Sequence, residues 1–234
     1  MTYSMFLENG DKEMLKWSHF FPIYEQHLSS FVNRPVRVLE IGVLGGGSLQ
    51  YWKKWFGPSA RIVGVDIDER CAEYVEPQIS VEIGSQNDVE FLRGVAERHG
   101  PFDVVIDDGS HTPSDVITTF ECLYPLLAER GVYLVEDIEH SYYPEQGGGV
   151  GAEGSFVEYA KRICDYINGQ AWRVGRDALE GKELFTENTM SVSFYSSMIV
   201  FQRGFYGTPT RYWQRTGGPG HAYFDNIVPD EASH

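Results

Sequence analysis

Residues 36–48, VRVLEIGVLGGGS, constrain the fold of this chain more than any other stretch. An aliphatic run reaches an acid, Glu40, then Gly42, then three consecutive glycines closed by Ser48, a residue that can open a helix. A strand that ends in a glycine turn and feeds a helix is the βα unit that holds a nucleotide-like ligand at the carboxyl edge of a parallel sheet. A dinucleotide fingerprint would need G-x-G-x-x-G, and Leu44 stands where its second glycine should be. What remains is the set Glu40, Gly42, Gly46 and Ser48, with a glycine-rich turn that binds nothing as the plain alternative.

The rest of the chain repeats the alternation of strand and helix. A helix is expected over 48–56, ended by Gly57 and Pro58. Residues 61–67, RIVGVDI, form a near-continuous apolar run ending in an acid, as a buried parallel strand requires. Further strands are expected at 80–83, 102–107 and 131–137, and helices at 88–99 and 155–168. Another helix opens at Thr112, with Pro113 at the favoured first position and Asp115 near the positive end. The loop HSYYPEQGGGVGAEG after the strand at 131–137 has the composition of a lid. Two runs, 191–195 and 198–203, flank Ser196 and Ser197 as a tight hairpin. Ahead of the first strand, residues 11–32 carry apolar residues at helical spacing, read as two segments divided by Pro22. The organisation expected is a single domain over 1–234, with leading helices over 1–33, a core over 34–203 and a tail over 204–234 that packs on the domain or on a second subunit, a homo-oligomer in the latter case.

Composition narrows the partners. Thirty-four acidic against nineteen basic residues give a net charge of −15, so the surface repels phosphate backbones and anionic lipid, and neither nucleic acid nor membrane is an expected partner. The three cysteines, Cys71, Cys122 and Cys164, fall in segments read as helices and suit reduced core thiols of a cytoplasmic protein. The first residues have no basic start followed by an apolar run, and no stretch approaches the ~20 apolar residues of a membrane span.

Two sets of residues carry chemistry. Asp66 follows the glycine turn by about 20 residues and ends the second strand, where an acid can accept hydrogen bonds from both ribose hydroxyls of a nucleoside; a strand-end aspartate that merely caps the next helix is the alternative. IDDGSH, 106–111, and VED, 135–137, end two further strands. Adjacent strands lie about 4.8 Å apart, so if these two are neighbours, Asp107, Asp108, Glu136 and Asp137 crowd together. Carboxylates at such range raise one another's pKa unless a cation compensates, and hard oxygen donors without cysteine favour magnesium. Two solvated acidic loop ends are the alternative reading.

Glu40, Gly42, Gly46 and Ser48 resemble motif I of the class I S-adenosylmethionine-dependent methyltransferases. With LEIGVLGGGSLQYWKKWF, VVIDDGSH, VEDIEHSYYP, VSFYSSMIVFQRG and the leading DKxxxxxSHFFPIYEQHL, over roughly residues 11–204, the chain is similar to the metal-dependent sugar O-methyltransferases of macrolide and tetracenomycin biosynthesis. The resemblance implies a Rossmann-like α/β fold: a mostly parallel seven-stranded sheet with a C-terminal antiparallel hairpin and helices on both faces. It implies S-adenosylmethionine held by the motif I residues with Asp66, Gln86, Asp88 and Asp107, although Asp88 is as readily a helix N-cap. It implies magnesium on Asp108, Glu136 and Asp137, with His111 as general base, and a small glycosylated natural product as methyl acceptor. The acceptor oxygen must lose a proton, and imidazole takes one at neutral pH. His140 in the lid is the rival base, and Tyr142 and Tyr143 can wall a sugar or aromatic ring. A phenol or catechol acceptor would chelate the same metal; a hydroxylase-like or hydrolase-like relative and a non-catalytic protein share the fold.

Overall fold

Strand β1 (Arg37–Ile41) has four buried residues of five, Val38 and Leu39 facing opposite ways, as a strand covered on both faces must. The computed structural model describes residues 2–8, 12–169, 181, 183–204, 211–213 and 221–223. In it β1 pairs in parallel with β2 (Arg61–Asp66) on one side and β4 (Phe102–Asp107) on the other. β3 (Ile79–Ile83) lies outside β2, and β5 (Leu127–Glu136) lies outside β4, both parallel to their neighbours. The hairpin of β6 (Thr189–Tyr195) and β7 (Met198–Arg203) inserts β7 antiparallel to β5, giving the order β3-β2-β1-β4-β5-β7-β6. The chain changes direction of travel across the sheet between β1 and β4, which opens a crevice at their carboxyl ends.

Helices α3 (Gly47–Phe56), α4 (Val89–His99), α5 (Pro113–Leu123) and α6 (Phe156–Ile167) cover the sheet. Leu39, Val105 and Tyr133 pack with Leu92 of α4, Phe120 of α5 and Phe156 of α6 on one face. Val38, Val104 and Leu134 pack on the other with Trp52 of α3 and Tyr24, whose rings meet edge to face at 5.0 Å. Burial of each such side chain stabilises by about 1.5–3 kcal/mol, so both layers are held apolar side first.

The leading region departs from its pattern. Only α2 (Phe20–Leu28) is helical within 12–28, and Pro22 sits in its first turn, where a missing N–H leaves no bond unmade, so it divides nothing. Residues 12–18 form no helix; they run as a strap across the glycine turn, which is why their apolar spacing imitates an amphipathic face. Short helices α1 (Thr2–Leu7) and α7 (Glu183–Asn188) have no clear sequence signal. The tail lies outside the described residues except for Gly204 and a small ribbon of β8 (Arg211–Trp213) and β9 (His221–Tyr223). Cys71 is buried in a short 3-10 turn and Cys122 in α5, but Cys164 is exposed, beside the buried stripe of Phe156, Val157, Ala160 and Ile163. Among the described residues no helix is long and apolar enough to cross a membrane.

Candidate functional site

At the carboxyl ends of β1, β2 and β4 the backbone closes on itself. Gly42 adopts φ +90°, and a Cβ there would stand 2.0 Å from the carbonyl oxygen of Asp108, so only glycine lets the two strand ends meet. Gly46 is left-handed (φ +75°) and starts α3. Asp66 fixes the turn between them: Oδ2 accepts from the backbone N–H of Val43 (2.8 Å) and Leu44 (3.3 Å), and Oδ1 from that of Asp68 (2.9 Å).

Asp66 stands where two chambers join. One of about 310 Å³ runs from Met14, Leu44 and Ser48 to Asp108, His111 and Asp137. The other, about 330 Å³, is lined by Ile67, Ser85, Gln86, Asn87 and Ser110. Both include Gly42, Asp66 and Gly109. Gln86 makes the second wall, donating from Nε2 to Asp107 (3.2 Å) and Thr119 (3.1 Å) and accepting from the Ser110 N–H (2.6 Å).

Four of the expected cofactor residues, Glu40, Gly46, Asp88 and Asp107, lie outside both chambers, Gly46 where a Cβ would meet the Tyr74 ring at 2.6 Å. Glu40 is fully buried beneath the turn, held by the Ser48 hydroxyl (2.7 Å) and by Lys16 Nζ (3.4 Å). Burial raises its pKa. Asp88 is the N-cap of α4, accepting from the Phe91 N–H at 3.1 Å, which spends its side chain on the helix. Asp107 is buried under Gln86, with Tyr133 Oη at 3.5 Å. These residues brace the walls of the crevice.

Burial pushes the Asp107 carboxyl up to about 7. The folded protein therefore holds a proton that the unfolded chain gives up in the ordinary carboxyl range, and Asp107 makes stability fall as pH climbs from about 4 to about 7, with no further change above. Asp107→Asn is expected to remove that decline, so stability of wild type relative to variant falls by up to about 1.4 kcal/mol per pH unit across the window. Urea denaturation of both proteins over this range is the measurement; parallel stability curves would refute the assignment.

The carboxylates of β4 and β5 meet as their spacing predicts, but in a different grouping. Asp108, His111 and Asp137 each offer one ligand atom within 4.8 Å of the others. His111 Nε2 is 4.0 Å from Asp108 Oδ1 and 3.8 Å from Asp137 Oδ2. Glu136, expected as a metal ligand, is not in this group: Oε1 accepts from Tyr24 Oη (2.6 Å) and Oε2 from Lys16 Nζ (2.8 Å). Lys16 Nζ also lies 2.5 Å from Asp108 Oδ2, and its side chain is only 2% exposed. Burial works against the ammonium, but Asp108, Glu136 and Glu40 outweigh it and hold the Lys16 pKa well above its ordinary value. Burial raises the pKa of both Glu136 and Asp137, Lys16 opposing the shift and Asp108 adding to it. Next to Asp137, Glu139 keeps a buried Oε2 with no hydrogen-bond partner. One ammonium thus faces an excess of carboxylates.

Leu44 (φ 49°), His111 (φ 56°) and Asp137 (φ 51°) are all left-handed, at roughly 1–2 kcal/mol each for a residue with a Cβ. All three line the first chamber. His140 lies beside His111, ring centroids 4.9 Å apart, and its Nδ1 is 3.0 Å from Gln146 Oε1. Tyr143 packs on His140 at 4.9 Å, and both Tyr142 and Tyr143 are exposed at the rim. Lys16, Trp17, Tyr24 and Thr119 belong to the site without having been legible as such. The one available signal was Lys16 itself, a cation interrupting the apolar run around it.

Residues 39–138 match a family whose description is methyltransferase domain. The chain is 37% identical over 198 residues to the 8-demethyl-8-(2-methoxy-alpha-L-rhamnosyl)-tetracenomycin-C 3'-O-methyltransferase of Streptomyces olivaceus, a match covering 80% of this chain and 50% of that protein. It is 36% identical over 200 residues to the mycinamicin VI 2''-O-methyltransferase of Micromonospora griseorubida, covering 81% of this chain and 49% of the relative. Among solved structures, the MycE methyltransferase of the mycinamycin biosynthetic pathway, in complex with magnesium, SAH and mycinamycin VI, superposes with a TM-score of 0.77 at 33% identity, covering 87% of this chain and 53% of that one. The O-methyltransferase TomG from Streptomyces achromogenes, 16% identical with a TM-score of 0.51 and 87% of each chain covered, shares the fold alone. The chain spans about half the length of the curated relatives it matches.

Proposed function

We propose that this chain, which has the class I methyltransferase fold and carries a methyltransferase domain over residues 39–138, moves a methyl group from S-adenosylmethionine to a hydroxyl of a small glycosylated natural product, with magnesium. The observation that carries the reading is the crevice that runs from the chamber at Gln86, past Asp66, to the cluster of Asp108, His111 and Asp137. A nucleoside joined to an amino acid fits a bipartite space hinged on an acid. Relatives named for a rhamnosyl and a mycinamicin acceptor support a sugar hydroxyl as the target.

In this reading Asp66 takes a ribose hydroxyl on Oδ1, where three backbone contacts leave about one of its roughly four acceptor sites open. Gly42 and Ser48 border the amino-acid portion, Gly46 turns the backbone into α3 behind them, and Gln86 with Asn87 borders the base. The donor set fits a hard divalent cation, because carboxylates outnumber the buried ammonium and Asp108 and Asp137 converge. Held by Asp108 and Asp137, with Glu136 as a further oxygen, magnesium would orient the acceptor hydroxyl and lower its pKa. The acceptor oxygen forms its bond to the methyl carbon as the carbon–sulfur bond breaks, its electron pair staying on sulfur. His111 Nε2, which faces the two aspartates, takes the hydroxyl proton. His140, Tyr142 and Tyr143 border the acceptor.

Incubation with labelled S-adenosylmethionine and candidate glycosides, with and without magnesium, tests the whole reading. Label in a sugar methyl ether only with magnesium is the expected result; label confined to catechols would move the acceptor class. For the cofactor site, Asp66→Ala is expected to weaken binding of S-adenosylhomocysteine by about 1.5–3 kcal/mol, the range for hydrogen bonds to a charged group. Unchanged calorimetric affinity, with the fold intact by circular dichroism, would take Asp66 out of the site.

A further inference from the structure

Lys16 does something no part of the proposed reaction needs. Its ammonium is almost wholly buried, 2.5 Å from Asp108 Oδ2, 2.8 Å from Glu136 Oε2 and 3.4 Å from Glu40 Oε1. It bridges one oxygen from the end of β4 and one from the end of β5, the two strand ends whose carboxylates would hold a magnesium ion. An ammonium and a divalent ion compete for Asp108 Oδ2 and Glu136 Oε2, because the lone pairs turned to one are not open to the other and the two cations repel in a water-poor site.

Residues 12–18, which carry Lys16, form no helix or strand, and apart from the Lys16 ion pairs they are held by individual contacts rather than by a ladder of hydrogen bonds. The Gly47 N–H donates to the Glu13 carbonyl (3.0 Å), the Phe20 N–H to the Trp17 carbonyl (3.0 Å) and the Trp17 indole Nε1 to Asp137 Oδ1 (3.0 Å), Lys12 Nζ lies 3.9 Å from Glu76 and 4.8 Å from the centre of the Tyr74 ring, and Met14 packs on the core. Two of these contacts end on the machinery itself, one on the first N–H of α3 and one on a carboxylate of the candidate metal group.

We propose that Lys16 is a tethered stand-in for the divalent ion: it neutralises Asp108 and Glu136 in the metal-free chain, and metal binding expels it together with the strap over 12–18. The inference rests on the reading of this cluster as a metal site. It accounts for Glu136 standing apart from the ligand group, because departure of Lys16 frees Glu136 Oε2 and Asp108 Oδ2 to complete a set of oxygens with Asp137. It also ties the metal to the first chamber, one wall of which is made by residues 13–16.

The test is metal binding, read without turnover. Apparent affinity is the intrinsic affinity scaled by the fraction of molecules with the strap out, so a strap closed in about nine molecules of ten weakens binding about tenfold. Lys16→Met keeps the length of the side chain and removes its charge. Titration calorimetry with magnesium, and with manganese followed by its paramagnetic resonance, should show about tenfold or tighter binding in the variant than in wild type. A second measurement needs no variant: in wild type, magnesium should speed hydrogen exchange of the backbone amides of residues 12–18 and of Gly47. Equal affinity in both proteins, or saturable metal binding with exchange over 12–18 unchanged, overturns the exchange of cations while leaving the metal site standing. No metal bound by either protein overturns the site and the inference with it.

Discussion

His111→Ala is expected to lower turnover by about 10²–10⁴-fold, the usual share of general acid–base catalysis, with cofactor affinity near wild type. The geometry makes this a sharp test, because His111 can serve in two ways. Its Nε2 lies 3.8–4.0 Å from carboxylate oxygens of Asp137 and Asp108, close enough for the ring to join them as a ligand. If His111 is the base, the variant keeps its metal affinity and loses rate; if it is a ligand, affinity and rate fall together. His140, 4.9 Å away ring to ring, is the control. His140→Ala should raise the acceptor KM with little effect on kcat, since that ring sits between Tyr143 and Gln146 at the rim. A His140 variant that loses kcat while His111→Ala keeps it would move proton transfer to the lid.

Exhaustive chelation is expected to lower methyl transfer by about 10²–10³-fold or more, as several kcal/mol of charge stabilisation implies, and magnesium should restore it. Binding of S-adenosylhomocysteine should survive, because Gln86 lines the other chamber and Asp66 stands at the junction, while Asp108 and Asp137 line the first chamber alone. Asp108→Asn should mimic chelation, since one substitution removes charge from the position that both Lys16 and the metal group use. Wild-type turnover in the absence of any divalent ion would remove the metal from the reaction.

Local chemistry made much of the frame legible. β4 begins at Phe102 and ends at Asp107, where an apolar run is bounded by Pro101 and by the pair Asp108-Gly109. The hairpin is legible because Ser196 and Ser197 separate two β-rich runs, Ser197 taking the positive φ that a tight turn needs. β5 starts at Leu127 rather than near Gly131 because Ala128, Glu129 and Arg130 look like a loop, while the pairing with β4 continues past an irregularity. The site was legible in its carboxylates and not in its cation. Lys16 is buried by Glu40, Asp108 and Glu136, supplied from the ends of β1, β4 and β5, and no window around residue 16 carries that information. Asp88 and Glu40 show the converse: the right residue types at the right spacing, committed to a helix cap and to Ser48.

The antiparallel insertion of β7 has a consequence for how the protein is made. One edge of β5 is covered by β4 and the other by β7, whose residues come after α6, α7 and β6 in the chain. During synthesis β5, with Tyr133, Leu134 and Val135 along it, presents unpaired backbone until Met198–Arg203 has emerged to close that edge. Glu136 pairs with Met198 in that register, so the strand end that carries the acidic cluster takes its neighbour from a strand that follows α6, α7 and β6 in the chain.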